Sequence, residues 1–328
     1  MEKQLVTSIP GDSTPTHTLR RFFEKLAPFL FLIFIMIILS VISPNFLTIR
    51  NLLTILLQIS IVGIITVGET MVLITAGVDL SVGSIVGLSG VLSTLLMADV
   101  HFPIWLAVIG GIIVGGLVGM VNGVLVTKVK LPSFISTLGM MGVARGFALI
   151  LTGGVTVFNL PDQFGWIGGG RFAGIPVPVY FLVAVGIIGT FVLNRTRLGR
   201  YTYAIGSNSE TARLSGINIS KYLVIIYAIA GTLSGLAGVI LASRIITGEP
   251  TAGLGYELDV IAACVIGGTS LFGGEGTVLG SMIGAALMGV IRNGSDLLNI
   301  SAFWQQVIIG IIIWGAVAWD SYRRRKVG

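Results

Sequence analysis

Residues 194–221 form a hydrophilic island in an apolar chain and read N-R-T-R-L-G-R-Y-T-Y-A-I-G-S-N-S-E-T-A-R-L-S-G-I-N-I-S-K. Nearly everything on either side of this island is apolar enough for a lipid environment, so we expect the island to lie in water between two membrane spans. Its composition favours a short helix over a disordered tail. An ordered, basic loop of this kind indicates a docking site for a soluble partner.

The composition places the whole chain in a membrane. Of its 328 residues, 54% are hydrophobic and only 10% are charged, and the mean hydropathy is +0.98. A soluble domain carries about 25% charged residues. The single cysteine, Cys264, excludes an intramolecular disulfide, and the two histidines, His17 and His101, lie far apart, so we expect no metal site.

The apolar runs predict an all-α, polytopic helix bundle, because each membrane-spanning helix needs about 20 mostly apolar residues. The ten predicted spans are 26–43, 52–75, 82–98, 104–126, 134–151, 177–193, 222–243, 259–272, 276–292 and 302–319. They form one membrane domain, 26–319, between a polar tail, 1–25, and a basic tail, 320–328. The short eighth span is separated from the ninth by 273–276, G-G-E-G, so this pair is either two full spans or a re-entrant element.

The positive charges predict the orientation of the bundle. With both termini in the cytoplasm, fifteen of the twenty lysines and arginines lie on the cytoplasmic side, as does the island 194–221. The net charge of +6 is therefore concentrated at one membrane face, where it can meet lipid headgroups, and does not indicate a nucleic-acid partner. The longest outer loop, 152–177, is rich in glycine and aromatic residues. We expect it to cap the bundle, and the same loop could also contact an extracytoplasmic partner.

Glycines at four-residue spacing predict close helix packing. Such spacing makes a groove that lets two helix backbones approach each other. The fourth span carries Gly111, Gly115, Gly119 and Gly123, and the ninth carries Gly276, Gly280 and Gly284. These grooves favour packing inside the bundle, with a dimer seam as the alternative.

Four polar residues within the predicted spans are candidates for a solute pathway, because polar groups at membrane depth are costly. They are Gln58, Glu69, Asn122 and Arg145. Arg145 is expected either to snorkel toward an interface or to pair with Glu69. Gln58 and Asn122 are expected to hydrogen-bond across helices or to face a solute.

Three more polar residues are predicted to lie at the N-terminal ends of helices. Asp79 and Ser81 precede the third span and Glu275 precedes the ninth, where acids and hydroxyls accept hydrogen bonds from free N–H groups. The segments around them, 75–84 and 267–276, also share a Gly-x-x-Leu-x-x-Gly pattern at a shift of 191 residues, which suggests duplicated halves.

Motifs for catalysis are missing from the sequence. There is no H-E-x-x-H pair, no Gly-x-Ser-x-Gly elbow with a paired histidine, and no G-x-x-x-x-G-K-[ST] phosphate loop. The chain is therefore predicted to be a non-catalytic protein without a cofactor of its own. If it moves a solute uphill, a nucleotide must be hydrolysed elsewhere.

Seven longer motifs in a fixed order carry a family resemblance. They are 43–53 (S-P-N-F-L-T-I-R-N-L-L), 74–84 (I-T-A-G-V-D-L-S-V-G-S), 131–141 (L-P-S-F-I-S-T-L-G-M-M), 196–208 (T-R-L-G-R-Y-T-Y-A-I-G-S-N), 212–217 (A-R-L-S-G-I), 250–263 (P-T-A-G-L-G-Y-E-L-D-V-I-A-A) and 267–276 (G-G-T-S-L-F-G-G-E-G). In these motifs the chain resembles permease subunits of bacterial ABC importers for monosaccharides, in the ribose, xylose and arabinose branch and closest to the ribose permeases.

This resemblance implies a multi-pass protein of the bacterial plasma membrane that pairs with a second permease copy. It implies an ATPase subunit that binds ATP and Mg²⁺, and an extracytoplasmic sugar-binding protein. The segment expected to seat in the ATPase consists of Glu210, Thr211, Ala212, Arg213, Leu214, Ser215 and Gly216. The expected cargo is a neutral monosaccharide, ribose first, with xylose, galactose, an inositol or a furanosyl signal molecule as alternatives. A stand-alone secondary transporter is a further alternative.

Overall fold

The structure is a computed structural model that describes residues 15–325, with side-chain surroundings described from residue 28 to 318 except at 316. The described chain is almost entirely helical. The helices are α1 (Pro15–Ile42), α2 (Ile49–Ile74), α3 (Val82–Ala98), α4 (Ile104–Thr127), α5 (Ser133–Thr152), α6 (Gly165–Gly169), α7 (Val177–Arg195), α8 (Arg197–Ser207), α9 (Ser209–Leu214), α10 (Ile219–Ile245), α11 (Tyr256–Ile266), α12 (Val278–Leu297) and α13 (Ala302–Arg325).

The prediction of a polytopic helical membrane protein is confirmed. Five helices, α2, α4, α5, α7 and α10, are long and apolar enough to cross a membrane, and shorter apolar stretches lie in α1, α3 and α13. Among the five long helices, α2 and α10 are the most buried, and the shorter α3 is buried along most of its length, so these three helices form the centre of the bundle. Helix α1 begins at Pro15, well before the predicted start of the first span at residue 26.

The eighth predicted span, 259–272, is wrong as a full helix. Helix α11 has only 11 residues, which extend about 16 Å and cannot cross a hydrocarbon core of about 30 Å. A non-helical segment, 246–255, precedes it and reaches the start of α3, where a Cβ on Gly253 would lie within 3.0 Å of the Val86 side chain. The span is thus part irregular and part helical, as in the re-entrant alternative.

The glycines of the fourth span pack inside the bundle, against α10. A Cβ on Gly115 would lie 2.8 Å from the Cα of Gly235, and one on Gly119 would lie 3.0 Å from the Cα of Gly231. The backbones of α4 and α10 therefore touch along this groove, which we call the α4/α10 seam. The alternative of a dimer seam at these glycines is wrong.

The glycines of the ninth span need one correction. Gly276 precedes α12 and has a φ of 155°, so it is not part of a helical groove. Gly280 and Gly284 do lie on α12, and both face α11 and the turn that follows it, at Gly267 and Ala263. These two glycines therefore join the halves of the broken element to each other.

The outer loop 152–177 folds over the bundle. It contains a 3-10 turn at Asp162–Phe164, the short helix α6, and the antiparallel strands β1 (Arg171–Phe172) and β2 (Ile175–Pro176). Phe164 is fully buried, and its carbonyl oxygen accepts a hydrogen bond from Ser243 Oγ on α10. A Cβ on Gly168 would meet the α10 backbone at Ile240 and Arg244. The expected cap is present.

Candidate functional site

The hydrophilic island folds into two short helices, α8 and α9, between α7 and α10. The Thr196 side chain caps α8 by accepting a hydrogen bond from Gly199 N–H, and the Asn208 side chain caps α9 by accepting one from Thr211 N–H at 2.8 Å. Gly216, with a φ of +83°, follows the end of α9. The short helical structure expected of the island is present, and each of these residues satisfies the helix end at which it lies.

Helix α9 presents a small mixed surface to water. Leu214 is 73% exposed, and the Arg213 guanidinium makes two hydrogen bonds to the Glu210 carboxylate, 2.5 and 3.0 Å long. This guanidinium holds the pKa of the Glu210 carboxyl below its usual range. Ala212 is buried and anchors the helix. The predicted docking segment thus exposes an apolar residue beside an ion pair.

Helix α8 connects α9 to the inner ends of the membrane helices. A Cβ on Gly206 would overlap the Ile74 carbonyl oxygen at the end of α2. The Tyr203 hydroxyl donates a hydrogen bond to the Gly276 carbonyl oxygen at 2.8 Å. Both contacts join α8 to backbone atoms of the bundle, so a displacement of α9 can be transmitted to the bundle through α8.

The two segments that share the repeated glycine and leucine pattern lie side by side at this point. The Gly274 N–H donates to the Ile74 carbonyl oxygen at 2.8 Å, and a Cβ on Gly273 would lie 2.9 Å from the Ala76 nitrogen. Helix α8 contacts both segments. The turns after α2 and α11 therefore form one inner junction, which we define as residues 74–81 and 267–277.

A buried polar cluster connects the inner junction to α2 and α4. Glu69 Oε1 accepts a hydrogen bond from the Asp79 N–H at 3.1 Å, and Asp79 Oδ1 accepts one from Ser81 Oγ at 2.5 Å. Asn122 Nδ2 donates to the same Ser81 oxygen at 2.8 Å. All four side chains are buried. The cluster joins α2, α3 and α4, which confirms that Asn122 hydrogen-bonds across helices.

The predicted helix caps are only partly correct. Ser81 is the residue before α3, but its hydroxyl makes no capping hydrogen bond among the described residues, since it donates to Asp79. Asp79 instead accepts from the Ser81 N–H at 2.8 Å. Glu275 does not cap α12. That helix is capped by Thr277, whose side chain accepts from Gly280 N–H.

Arg145 neither pairs with Glu69 nor snorkels. Its guanidinium donates to the carbonyl oxygens of Pro250 at 2.5 Å and of Ala252 at 2.9 Å, with a longer contact of 3.4 Å to that of Gly83. Backbone groups inside a membrane must find partners within the protein. Arg145 supplies them for Pro250 and Ala252 in the non-helical segment 246–255, which explains an arginine within α5.

Gln58 lies apart from the other three pathway candidates. It faces a cavity of about 340 Å³ between α2, α11, α12 and α13. The four candidates therefore do not form one continuous polar route. The ion pair of Asp259 with Arg292, 2.6 Å long, lines the same cavity and was missed at the sequence level. The signal was present, since G-Y-E-L-D-V places two acids in an apolar stretch.

Comparison with known families gives one match. Residues 51–317 match the family described as the permease component of the branched-chain amino acid transport system. This range covers all of α2 but its first two residues, every helix from α3 to α12, and part of α13. No solved structure matches the chain.

Several curated proteins are similar over nearly their full length. The ribose import permease of Escherichia coli (strain K12) is 41% identical over 321 residues, which cover 95% of this chain and 100% of that protein. The ribose import permease of Bacillus subtilis (strain 168) is 46% identical over 299 residues, 90% of this chain and 92% of that protein. The L-arabinose ABC transporter permease of Azospirillum brasilense is 40% identical over 288 residues, 88% of this chain and 85% of that protein.

Proposed function

We propose that this chain, which belongs to the family described as the permease component of the branched-chain amino acid transport system, is the membrane permease of an ABC importer. Its proposed cargo is a neutral monosaccharide, with ribose as the first candidate. The observation that supports ribose is the 41–46% identity to ribose import permeases over at least 90% of the chain. Similar permeases for L-arabinose and D-allose keep a related sugar as the alternative cargo.

The energy for import would come from ATP and Mg²⁺ bound by a separate ATPase subunit, with α9 seated in it. The exposed Leu214 and the ion pair of Glu210 with Arg213 support this docking role. Thr211, Ser215 and Gly216 complete the docking segment. An extracytoplasmic binding protein would deliver the sugar at the opposite face.

We infer that the permease opens alternately to the two sides of the membrane, and that the contacts of α8 transmit this change. Nucleotide binding can shift the permease only if the ATPase favours one conformer over the other. In our proposal that preference acts on α9, passes through α8, and moves the inner junction 74–81 and 267–277. The backbone contacts of Gly206 and Tyr203 support this route.

A second permease copy would pack against α5. Gly139, Gly142 and Gly146 lie on this helix, and a Cβ on any of them would meet no described atom within 4 Å. Phe147 and Ile150 beside them are 54% and 75% exposed. Small residues on an uncovered membrane helix permit close backbone contact with another helix. This uncovered side of α5, defined by these five residues, is the glycine face.

The first test is uptake of labelled ribose into proteoliposomes that contain the permease and its ATPase, with binding protein outside and ATP inside. We expect accumulation that requires both ATP and the binding protein. Accumulation of a different sugar in a competition panel changes the cargo and keeps the importer. Equilibrating flux without ATP would instead identify a facilitator.

The docking role of α9 has its own test. Arg213→Glu is expected to abolish ATP-driven uptake while the protein remains folded in the membrane, because an acid replaces the base at the docking surface. The matched control is the charge swap Glu210→Arg with Arg213→Glu, which restores an ion pair within α9 but not its orientation. Normal uptake by Arg213→Glu would sink the docking assignment. Recovery in the swap would show that only helix stability mattered.

A further inference from the structure

We propose that the cavity between α2, α11, α12 and α13 is a binding site for a neutral, hydroxyl-rich molecule, which the importer would use for the sugar in transit. The inference rests on the proposed function for the identity of the sugar. The site itself rests on the shape, charge and hydrogen-bonding state of the cavity.

The cavity has the size of a small-molecule site. Its volume is about 340 Å³, and ligand pockets range from about 300 to 1,000 Å³. It lies beside the first turn of α11, where the non-helical segment 246–255 ends and the helix begins. Discontinuous helices of this kind build the substrate sites of many transporters, because their free ends present polar backbone groups at membrane depth.

The charges that line the cavity balance. Arg244 and Arg292 contribute two positive charges, and Asp259 and Asp296 contribute two negative charges. Asp259 and Arg292 form the ion pair, and Asp296 Oδ1 accepts a hydrogen bond from Gln305 Nε2 at 2.8 Å. A site with strong donors and acceptors but no net charge suits a polar, uncharged ligand.

Three buried polar atoms of the lining residues lack hydrogen-bond partners in the described part of the chain. They are Gln58 Oε1, Asp259 Oδ1 and Arg292 Nε. Buried polar atoms without partners cost free energy, so native proteins satisfy nearly all of them. Two of these atoms are acceptors and one is a donor. A cation would satisfy only the acceptors and an anion only the donor, whereas sugar hydroxyls both donate and accept.

Gln58 allows the site to be separated from the fold. Because the buried carbonyl oxygen of Gln58 has no hydrogen-bond partner in the described part of the chain, Gln58→Leu removes a buried acceptor that is unsatisfied in the empty protein, and the thermal midpoint should stay equal or rise. Gln305 is the matched contrast, since it donates to Asp296 and to the Ile300 carbonyl oxygen. Gln305→Leu should therefore lower the thermal midpoint.

The experiment measures binding of labelled D-ribose to the full-length permease in lipid nanodiscs, without binding protein or nucleotide, alongside thermal unfolding. We expect saturable binding that Gln58→Leu weakens about fivefold, the effect of one lost hydrogen bond. Thr54→Ala, on the same helix but outside the cavity, should bind as the wild type does.

The results separate this site from the importer assignment. Equal binding by the wild type and Gln58→Leu overturns the site, as does absence of saturable binding by the wild type, even if ATP-driven uptake succeeds. Saturable binding that depends on Gln58 supports the site even if the uptake assay fails and the importer assignment falls with it.

Discussion

Two membrane helices, α4 and α5, both carry several glycines, and the structure treats them in opposite ways. On α4, Gly111, Gly115, Gly119 and Gly123 all press against backbone or side-chain atoms of other helices. On α5, a Cβ added to Gly139, Gly142 or Gly146 would meet no described atom within 4 Å. The same residue type therefore closes one contact within the chain and leaves another open.

Glycine permits two helix backbones to approach each other closely, but it does not determine which helix is the partner. The α4/α10 seam exists because α10 also carries glycines, at Gly231 and Gly235, so that both backbones can approach. Within the described chain no helix offers such a surface to the glycine face of α5. Either lipid or a second copy can cover that face, and its glycines are the basis of our proposal that a second copy lies there.

The largest effect is expected from breaking the seam. Gly119→Val would place side-chain atoms against the Tyr227 carbonyl oxygen, where even a Cβ comes too close. Two backbones cannot separate locally, so we expect a loss of more than about 3 kcal/mol of stability. Thermal unfolding in detergent measures it. Gly310→Val on α13, where an added Cβ would also meet no described atom within 4 Å, is the control and should unfold near the wild-type midpoint. Equal losses in both variants would contradict the contrast.

A smaller loss of stability is expected on the other side of α5, where Arg145 hydrogen-bonds to the segment 246–255. Arg145→Leu removes the donor to the Pro250 and Ala252 carbonyl oxygens. Each buried acceptor left unsatisfied costs about 1–3 kcal/mol, so the thermal midpoint should fall clearly. Arg145→Lys keeps one donor group and should lie between Arg145→Leu and the wild type. A lysine variant no better than the leucine variant would argue against the carbonyl contacts.

The open side of α5 can be tested by cross-linking. Val143→Cys, made with Cys264→Ala, should form an intermolecular disulfide in membranes under oxidation, because Val143 is 50% exposed beside the glycine face. Ile187→Cys on α7, where Ile187 is 66% exposed, serves as the control and should remain monomeric. If neither variant cross-links, lipid rather than a second copy covers α5.

The smallest effect concerns pH and the outer cap. Hydrogen bonds from Thr251 and then Thr156 hold the pKa of the Glu249 carboxyl below its usual range. A depressed pKa stabilises the fold above the unfolded-state value, about 4.3, and this contribution is lost as pH falls through the lower folded-state value. The thermal midpoint of the wild type should therefore drop more steeply below about pH 4 than that of Glu249→Gln. Parallel pH curves would remove Glu249 from this role.

Much of the fold follows from local patterns in the sequence. Apolar runs located most spans, and the composition of the island 194–221 predicted short helical structure, which α8 and α9 provide. The failures share a cause. The eighth span is apolar across 259–272 but ends as a helix at Ile266, because Gly267, Gly268 and the inner junction supply other partners for its backbone. Hydropathy reports burial in lipid and cannot show where a backbone leaves the helix.

The candidate site was less accessible from the sequence, as Arg145 and Gln58 show. Arginine at membrane depth correctly indicated a special role, but its partners are carbonyl oxygens more than a hundred residues away. A pairing rule based on charge could only suggest Glu69. Gln58 was identified as a candidate, but its neighbours Asp259 and Arg292 come from two other helices.

Membrane location, helical class and family follow from the sequence alone, because each depends on composition or on contiguous motifs. The coupling role of 210–216 remains a prediction from the same kind of motif. Tertiary structure alone decided which glycines are covered, which backbone groups Arg145 satisfies, and which polar atoms meet in one cavity. Those features depend on contacts between residues far apart in the chain. Their partners become neighbours only when helices pack, and no local pattern encodes that choice.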